Sequence, residues 1–143
     1  MKQEYKELVS TYIQAKDLNR PHLMDRVFSG NALLTMELQT ANIDFPAETA
    51  GREAITQVLV REFGRANENV YTFCIEDSAV ISADALKCDW VVGMSAKEGG
   101  EVRVGCGHYR WRFSEHRQPL IARLHIVIAQ MIALPSANGK AVF

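Results

Sequence analysis

The second half of the chain alternates apolar and polar positions in three long runs, residues 86–97, 101–113 and 120–132, separated by Gly99-Gly100 and by a polar stretch. Such a period of two places successive side chains on opposite faces of a half-buried strand. A fourth run, residues 70–81, is rich in Val, Ile, Thr and aromatics and bounded by short turns, so the four together predict an antiparallel meander.

The first half follows a different period. Tyr5, Leu8, Val9, Tyr12, Ile13 and Lys16 recur at helical spacing, which predicts an amphipathic helix over residues 3–16 with that stripe inward. Asn19-Arg20-Pro21 restarts a helix with proline in its first turn, where a missing N–H costs nothing. Leu23, Met24, Val27 and Phe28 supply its buried side, and Ser29-Gly30-Asn31 ends it. Residues 32–39 alternate as a strand, with Leu34, Met36 and Leu38 on one face and Glu37 on the other, and residues 43–46 suit a short return strand. Gly51 opens a third helix carrying Ile55, Val58, Leu59, Glu62 and Phe63, with a polar exit over residues 64–69. Helices followed by a meander predict an α+β fold. The expected organisation is one domain over residues 1–135 and a frayed tail over 136–143.

Gly99-Gly100 is a two-residue hairpin signal, because both positions accept the positive φ of a primed turn. Opposing Glu98 to Glu101 pairs Met94 with Gly105, Val92 with Gly107, Trp90 with Tyr109 and Cys88 with Trp111 on an apolar inner face. The outer face then pairs Val91 with His108, Asp89 with Arg110 and Lys87 with Arg112. A four-residue loop at 115–118 extends the register. It turns Leu120, Ala122, Leu124, Ile126, Ile128, Gln130 and Ile132 inward, and Ile121, Arg123, His125, Val127, Ala129 and Met131 outward.

Two consequences concern function. Gly105 and Gly107 point inward beside Trp90, Tyr109 and Trp111; they either leave space for a ligand or let the sheet coil sharply. On the outer face Val102, Val104, Cys106, Val127, Ala129 and Met131 form an apolar patch that suits contact with a second copy of the chain. His108 and His125 stand opposed beside it, as interface or surface residues rather than catalytic bases.

Composition narrows the classes. The 143 residues are 48% hydrophobic and 23% charged with a net charge of -1, an ordinary globular mixture lacking the basic excess that nucleic-acid binding requires. The start MKQEYKELV has no signal-like apolar run, and no segment approaches the ~18 apolar residues of a membrane helix. A cytoplasmic protein is expected, with no membrane partner. Cys74, Cys88 and Cys106 show no CxxC, and the four histidines show no metal-ligand spacing, so reduced thiols and no metal are expected.

The sequence Gly51-Arg52-Glu53-Ala54-Ile55, preceded by Ile43-Asp44-Phe45-Pro46, and the late strand Tyr109-Arg110-Trp111-Arg112-Phe113 resemble the nuclear transport factor 2-like superfamily in its SnoaL-like branch. The resemblance spans nearly the whole chain and implies a cystatin-like cone: a curved antiparallel sheet packed on three N-terminal helices around a pocket. Relatives include cofactor-free ketosteroid isomerases, polyketide cyclases and dehydratases, besides binding domains without catalysis. Carried onto this chain, the family's helix-borne hydrogen-bond donor falls on Tyr12, for which a plain core aromatic is the other reading, and its base on Asp44. A small apolar ligand, aromatic and polycyclic ones included, would then contact Trp90, Tyr109, Trp111, Cys88, Met94, Gly105 and Gly107. Homodimers would form through Val104, Cys106, His108, His125, Val127 and Ala129. The alternative is a non-catalytic ligand-binding or dimerisation domain, because no second inward carboxylate or imidazole accompanies Asp44.

Overall fold

Helix α1 (Gln3–Asp17) buries Tyr5, Val9, Tyr12 and Lys16 of the predicted stripe and Ala15 besides, while Leu8 and Ile13 are half-buried at its edges. The computed structural model describes residues 3–114 and 118–134. The 115–118 loop lies largely outside the described residues and the 136–143 tail wholly so.

After α1 the chain turns at Asn19, whose φ of 51° is one that asparagine tolerates. The segment behind Pro21 is a short 3-10 helix, Pro21–Arg26, and does not run on through Phe28. Phe28 instead opens strand β1 (Phe28–Leu38), pairing with Ile121; long-range pairing overrides local propensity. The return strand is β2 (Glu48–Ala50), while residues 43–46 stay irregular. Pro46 has no N–H for a ladder and restrains the residue before it. Gly51, at φ 94°, leads into one helical path made of α2 (Arg52–Thr56), a π turn (Gln57–Glu62) and α3 (Phe63–Ala66).

Strands β3 (Asn67–Ser82), β4 (Ala85–Ala96), β5 (Val102–Phe113) and β6 (Ile121–Leu134) form the expected antiparallel meander. The sheet order is β2-β1-β6-β5-β4-β3. Because β1 runs parallel to β6, the six-stranded sheet is mixed rather than wholly antiparallel.

The β4–β5 register differs from the two-residue hairpin. Ala96 N–H donates to the Glu101 carbonyl at 2.8 Å, and Gly99 and Gly100 occupy the last two places of a four-residue turn. Trp90 therefore opposes Gly107, Cys88 opposes Tyr109, and Asp89 opposes His108 instead of Arg110. An even shift leaves every side chain on its expected face.

Two bulges in β6 do change faces. Ala122 and Ala129 are each the extra residue opposite β5, between Arg112/Phe113 and between Cys106/Gly107. Each flips the alternation once. Ile121 and Met131 are consequently buried, and Gln130 and Ile132 exposed, the reverse of the unbroken pattern. The expected outer patch loses Met131 and gains Ile132, and within it Val102 and Val127 are buried, at 7% and 6% exposure.

Gly107 makes the second bulge possible. A Cβ there would fall on the Val127 carbonyl oxygen and 2.8 Å from the Trp90 ring. At Gly105 the place of a side chain is taken by the Met131 methyl. Both glycines thus serve close approach within the sheet. The core beneath is aromatic: the Tyr12 ring stands edge-on to Phe28, Tyr109 and Trp111, and Tyr5 stacks on Phe113 at 3.9 Å.

Candidate functional site

Between α1, the π turn and the inner sheet face lies a cavity of about 50 Å³. Tyr12 and Lys16 reach it from α1, Leu59 and Phe63 from the third helical segment, and Thr72, Trp90, Met94, Tyr109 and Met131 from the sheet. At about 10–15 Å³ for each water-sized occupant, this is room for a small molecule of a few heavy atoms. Ile43, Phe45 and Phe63 form the wall shared with an outer groove of about 420 Å³, which carries Asp44, Glu62 and Arg103.

The Tyr12 hydroxyl is fully buried and, among the described residues, has no hydrogen-bond partner. Burial pushes its pKa far above the usual tyrosine range, with Asp17 adding to the rise. The Tyr109 hydroxyl partly offsets it, though the two do not meet in hydrogen-bond geometry. Tyr109 is raised well above its ordinary value by the same desolvation. Both phenols therefore stay protonated and act as donors. Trp90 Nε1 is likewise buried without an acceptor among the described residues.

Lys16 is the charged member of this lining and only 8% exposed. Its Nζ donates to Asp17 Oδ1 at 2.8 Å and to Thr72 Oγ1 at 2.7 Å, and lies 5.0 Å from the Phe63 ring centroid. Asp17 is itself held by the Thr72 N–H at 2.7 Å and the Thr72 hydroxyl at 2.8 Å. Desolvation lowers the Lys16 pKa below the ordinary lysine value, against the upward pull of Asp17 and Cys74. Among the described residues no cluster of His, Cys, Asp and Glu has the makings of a metal site, and no helix is long and apolar enough to cross a membrane.

No protein-family model and no curated protein matches the sequence. Solved structures do. A nuclear transport factor 2-like superfamily protein from Salmonella enterica superposes with a TM-score of 0.69 at 14% identity, covering 87% of each chain. A type 3 hexachlorocyclohexane dehydrochlorinase from Novosphingobium barchaimii gives 0.70 at 12% identity, over 91% of this chain and 87% of that one. A protein from Catenulispora acidiphila with a ketosteroid isomerase-like fold, solved with trimethylamine, gives 0.66 at 17% identity, over 84% and 83%. The chain has the nuclear transport factor 2-like fold.

Within this nuclear transport factor 2-like cone the residues singled out by sequence separate into groups. Tyr12, Trp90, Met94 and Tyr109 line the cavity together. Trp111, 1% exposed, lies behind them and packs on Tyr12 at 5.4 Å. Cys88 sits with Cys74 along a separate groove under α1. Its thiol is lowered by the Cys74 thiol first and then by Trp111, whose Nε1 nonetheless falls outside hydrogen-bond geometry. Gly105 and Gly107 are covered by Met131, Val127 and Trp90.

Asp44 is exposed on the outer groove, on the far side of Ile43 and Phe45 from the cavity. His108 and His125 lie on the outer face: His108 Nδ1 is 2.7 Å from Asp89 Oδ1, and His125 Nδ1 2.7 Å from Thr35 Oγ1. Lys16 was not among the predicted site residues. Its signal was present, a lysine on a buried helical stripe, but its partner Thr72 lies 56 positions away.

Proposed function

We propose that the cone cavity binds a small, largely apolar ligand whose acceptor oxygen meets the Tyr12 hydroxyl. The observation that carries this is a fully buried phenol, at an apolar cavity, with no partner among the described residues. An unsatisfied buried donor is costly in a folded protein, and a ligand acceptor relieves it. The dimensions favour a compact ligand over a polycyclic one unless Ile43 and Phe45 move aside. Titration with small apolar carbonyl compounds should change Trp90 fluorescence; absence of any saturable response would remove the reading.

Catalysis of an isomerisation, cyclisation or elimination, with Asp44 as base, is the second reading. The dehydrochlorinase neighbour and the isomerase-like fold of another speak for it. Against it, a general base works best desolvated and within hydrogen-bond reach of the substrate proton, whereas Asp44 is exposed and, among the described residues, no carboxylate or imidazole lines the cavity. Asp44→Asn would abolish turnover of an identified substrate, with binding intact, if Asp44 is the base.

We also propose that the outer sheet face pairs two copies of the chain. Tyr71, Phe73, Val91, Val104 and Ile132 are between 36% and 64% exposed there. Registers β3–β4, β4–β5 and β5–β6 make them neighbours, and a contiguous apolar patch on a sheet is a feature of subunit interfaces.

A further inference from the structure

We propose that Lys16 is a reactive amine that condenses reversibly with small aldehydes or ketones in the cone cavity, Tyr12 binding the carbonyl oxygen and Asp17 relaying the proton. This rests on the cavity being open to a ligand, as argued above. The geometry has three parts. Lys16 and Tyr12 are four residues apart on α1, so they lie one turn apart on one face, and both line the cavity. The Lys16 Nζ is held 2.8 Å from a carboxylate that is itself fixed by two Thr72 donors. The remaining lining is mostly apolar, from Leu59, Phe63, Trp90 and Met94.

A purely structural clamp between α1 and β3 does not need the amine. Thr72 already ties the strand to Asp17 through its N–H and its hydroxyl. Adding Lys16 brings a second ion into the interior, where desolvation opposes the gain from pairing. The groups that set its charge are Asp17 on its own helix and Cys74 on β3, while Tyr12 and Tyr109 stay neutral by burial. Desolvation prevails and lowers the lysine, which is how a buried lysine becomes a nucleophile.

The condensation balances without a further reactant. The ammonium passes one proton to Asp17, and the free Nζ lone pair attacks the carbonyl carbon, whose oxygen accepts a hydrogen bond from Tyr12. A proton moves from nitrogen to that oxygen, giving a carbinolamine. The C–O bond then breaks, the Asp17 proton leaving with the hydroxyl as water. The product is a cationic imine facing the Asp17 carboxylate, with the charge of the original ion pair restored.

The test is reductive trapping on the whole protein. Butanal and cyanoborohydride are added at pH 7, and butylated lysines are located by peptide mass spectrometry. An exposed lysine is about 0.04% free amine at that pH, so Lys16, whose pKa desolvation lowers, should be marked faster than exposed Lys87 and Lys97. Marking of Lys16 no faster than of those two overturns the proposal, and this needs no variant. Val92→Phe, which fills the cavity from β4, should slow marking of Lys16 alone; unchanged marking in the folded variant also counts against it. Methyl acetate, whose carbonyl oxygen can accept from Tyr12 but which forms no imine with an amine, separates the two readings. If it binds by Trp fluorescence while Lys16 stays unmarked, the amine proposal fails and the cavity reading stands; if it does not bind and Lys16 stays unmarked, both fail.

Discussion

Lys16 on α1 donates to Thr72 Oγ1 on β3 at 2.7 Å, and both residues line the cavity between that helix and the inner sheet face. A single contact thus joins the helix, the meander and the candidate site. Its cost and its use can be measured separately.

The cost is visible in pH dependence. Lys16 binds its proton less tightly folded than unfolded, where the ordinary value is 10.5. Between the lowered folded value and about 10.5 the unfolded chain holds more protons, so stability rises with pH through that window. Urea midpoints should climb from neutral pH toward 10 more steeply in the parent protein than in Lys16→Met. Tyr12 and Tyr109 act in the opposite sense: their raised folded values mean that their contribution is present below about 10 and lost above it. The parent should weaken beyond pH 10, and Tyr12→Phe should weaken less.

Tyr12→Phe also separates stability from binding. Removing a buried hydroxyl that has no partner should leave unfolding free energy within about 1 kcal/mol of the parent, on the stabilising side. Affinity for a carbonyl ligand should fall by up to about tenfold, the worth of one hydrogen bond. Calorimetric titration beside chemical denaturation reads both. A clearly destabilised variant with unchanged affinity would show the hydroxyl to be a structural element.

Gly107 and Gly105 differ in what a methyl group would strike. At Gly107 it meets the Val127 backbone carbonyl at the β6 bulge, so Gly107→Ala should cost about 3 kcal/mol or more, the upper end of overpacking. At Gly105 it meets the end of the flexible Met131 side chain, and about 1 kcal/mol is expected there. Equal losses on denaturation would mean that the bulge does not depend on Gly107.

On the outer face, Phe73→Glu and Val104→Glu bring a carboxylate into the exposed apolar patch. Sedimentation velocity should find the parent self-associated and both variants monomeric, with unchanged circular dichroism. A monomeric parent at all accessible concentrations would retire the dimer reading.

By itself the sequence determined the α+β order, the buried stripe of α1 with Tyr12 and Lys16 on it, and which residues of β4 and β5 face inward. These survive because helical and strand periods are local, and because the two-residue difference in the β4–β5 turn preserves faces. Opposed partners were not legible, since one extra pair of turn residues brings His108 to Asp89 in place of Val91. The β6 bulges were not legible either. One inserted residue is chosen by cross-strand packing, here of Gly107 against Val127, and it sends Met131 into the cavity and Ile132 out of it.

Only the tertiary structure decided the site. It set Asp44 beyond the Phe45 wall and gave Lys16 its partners Asp17 and Thr72. Proximity between residues far apart in the chain comes from packing, which no local period encodes.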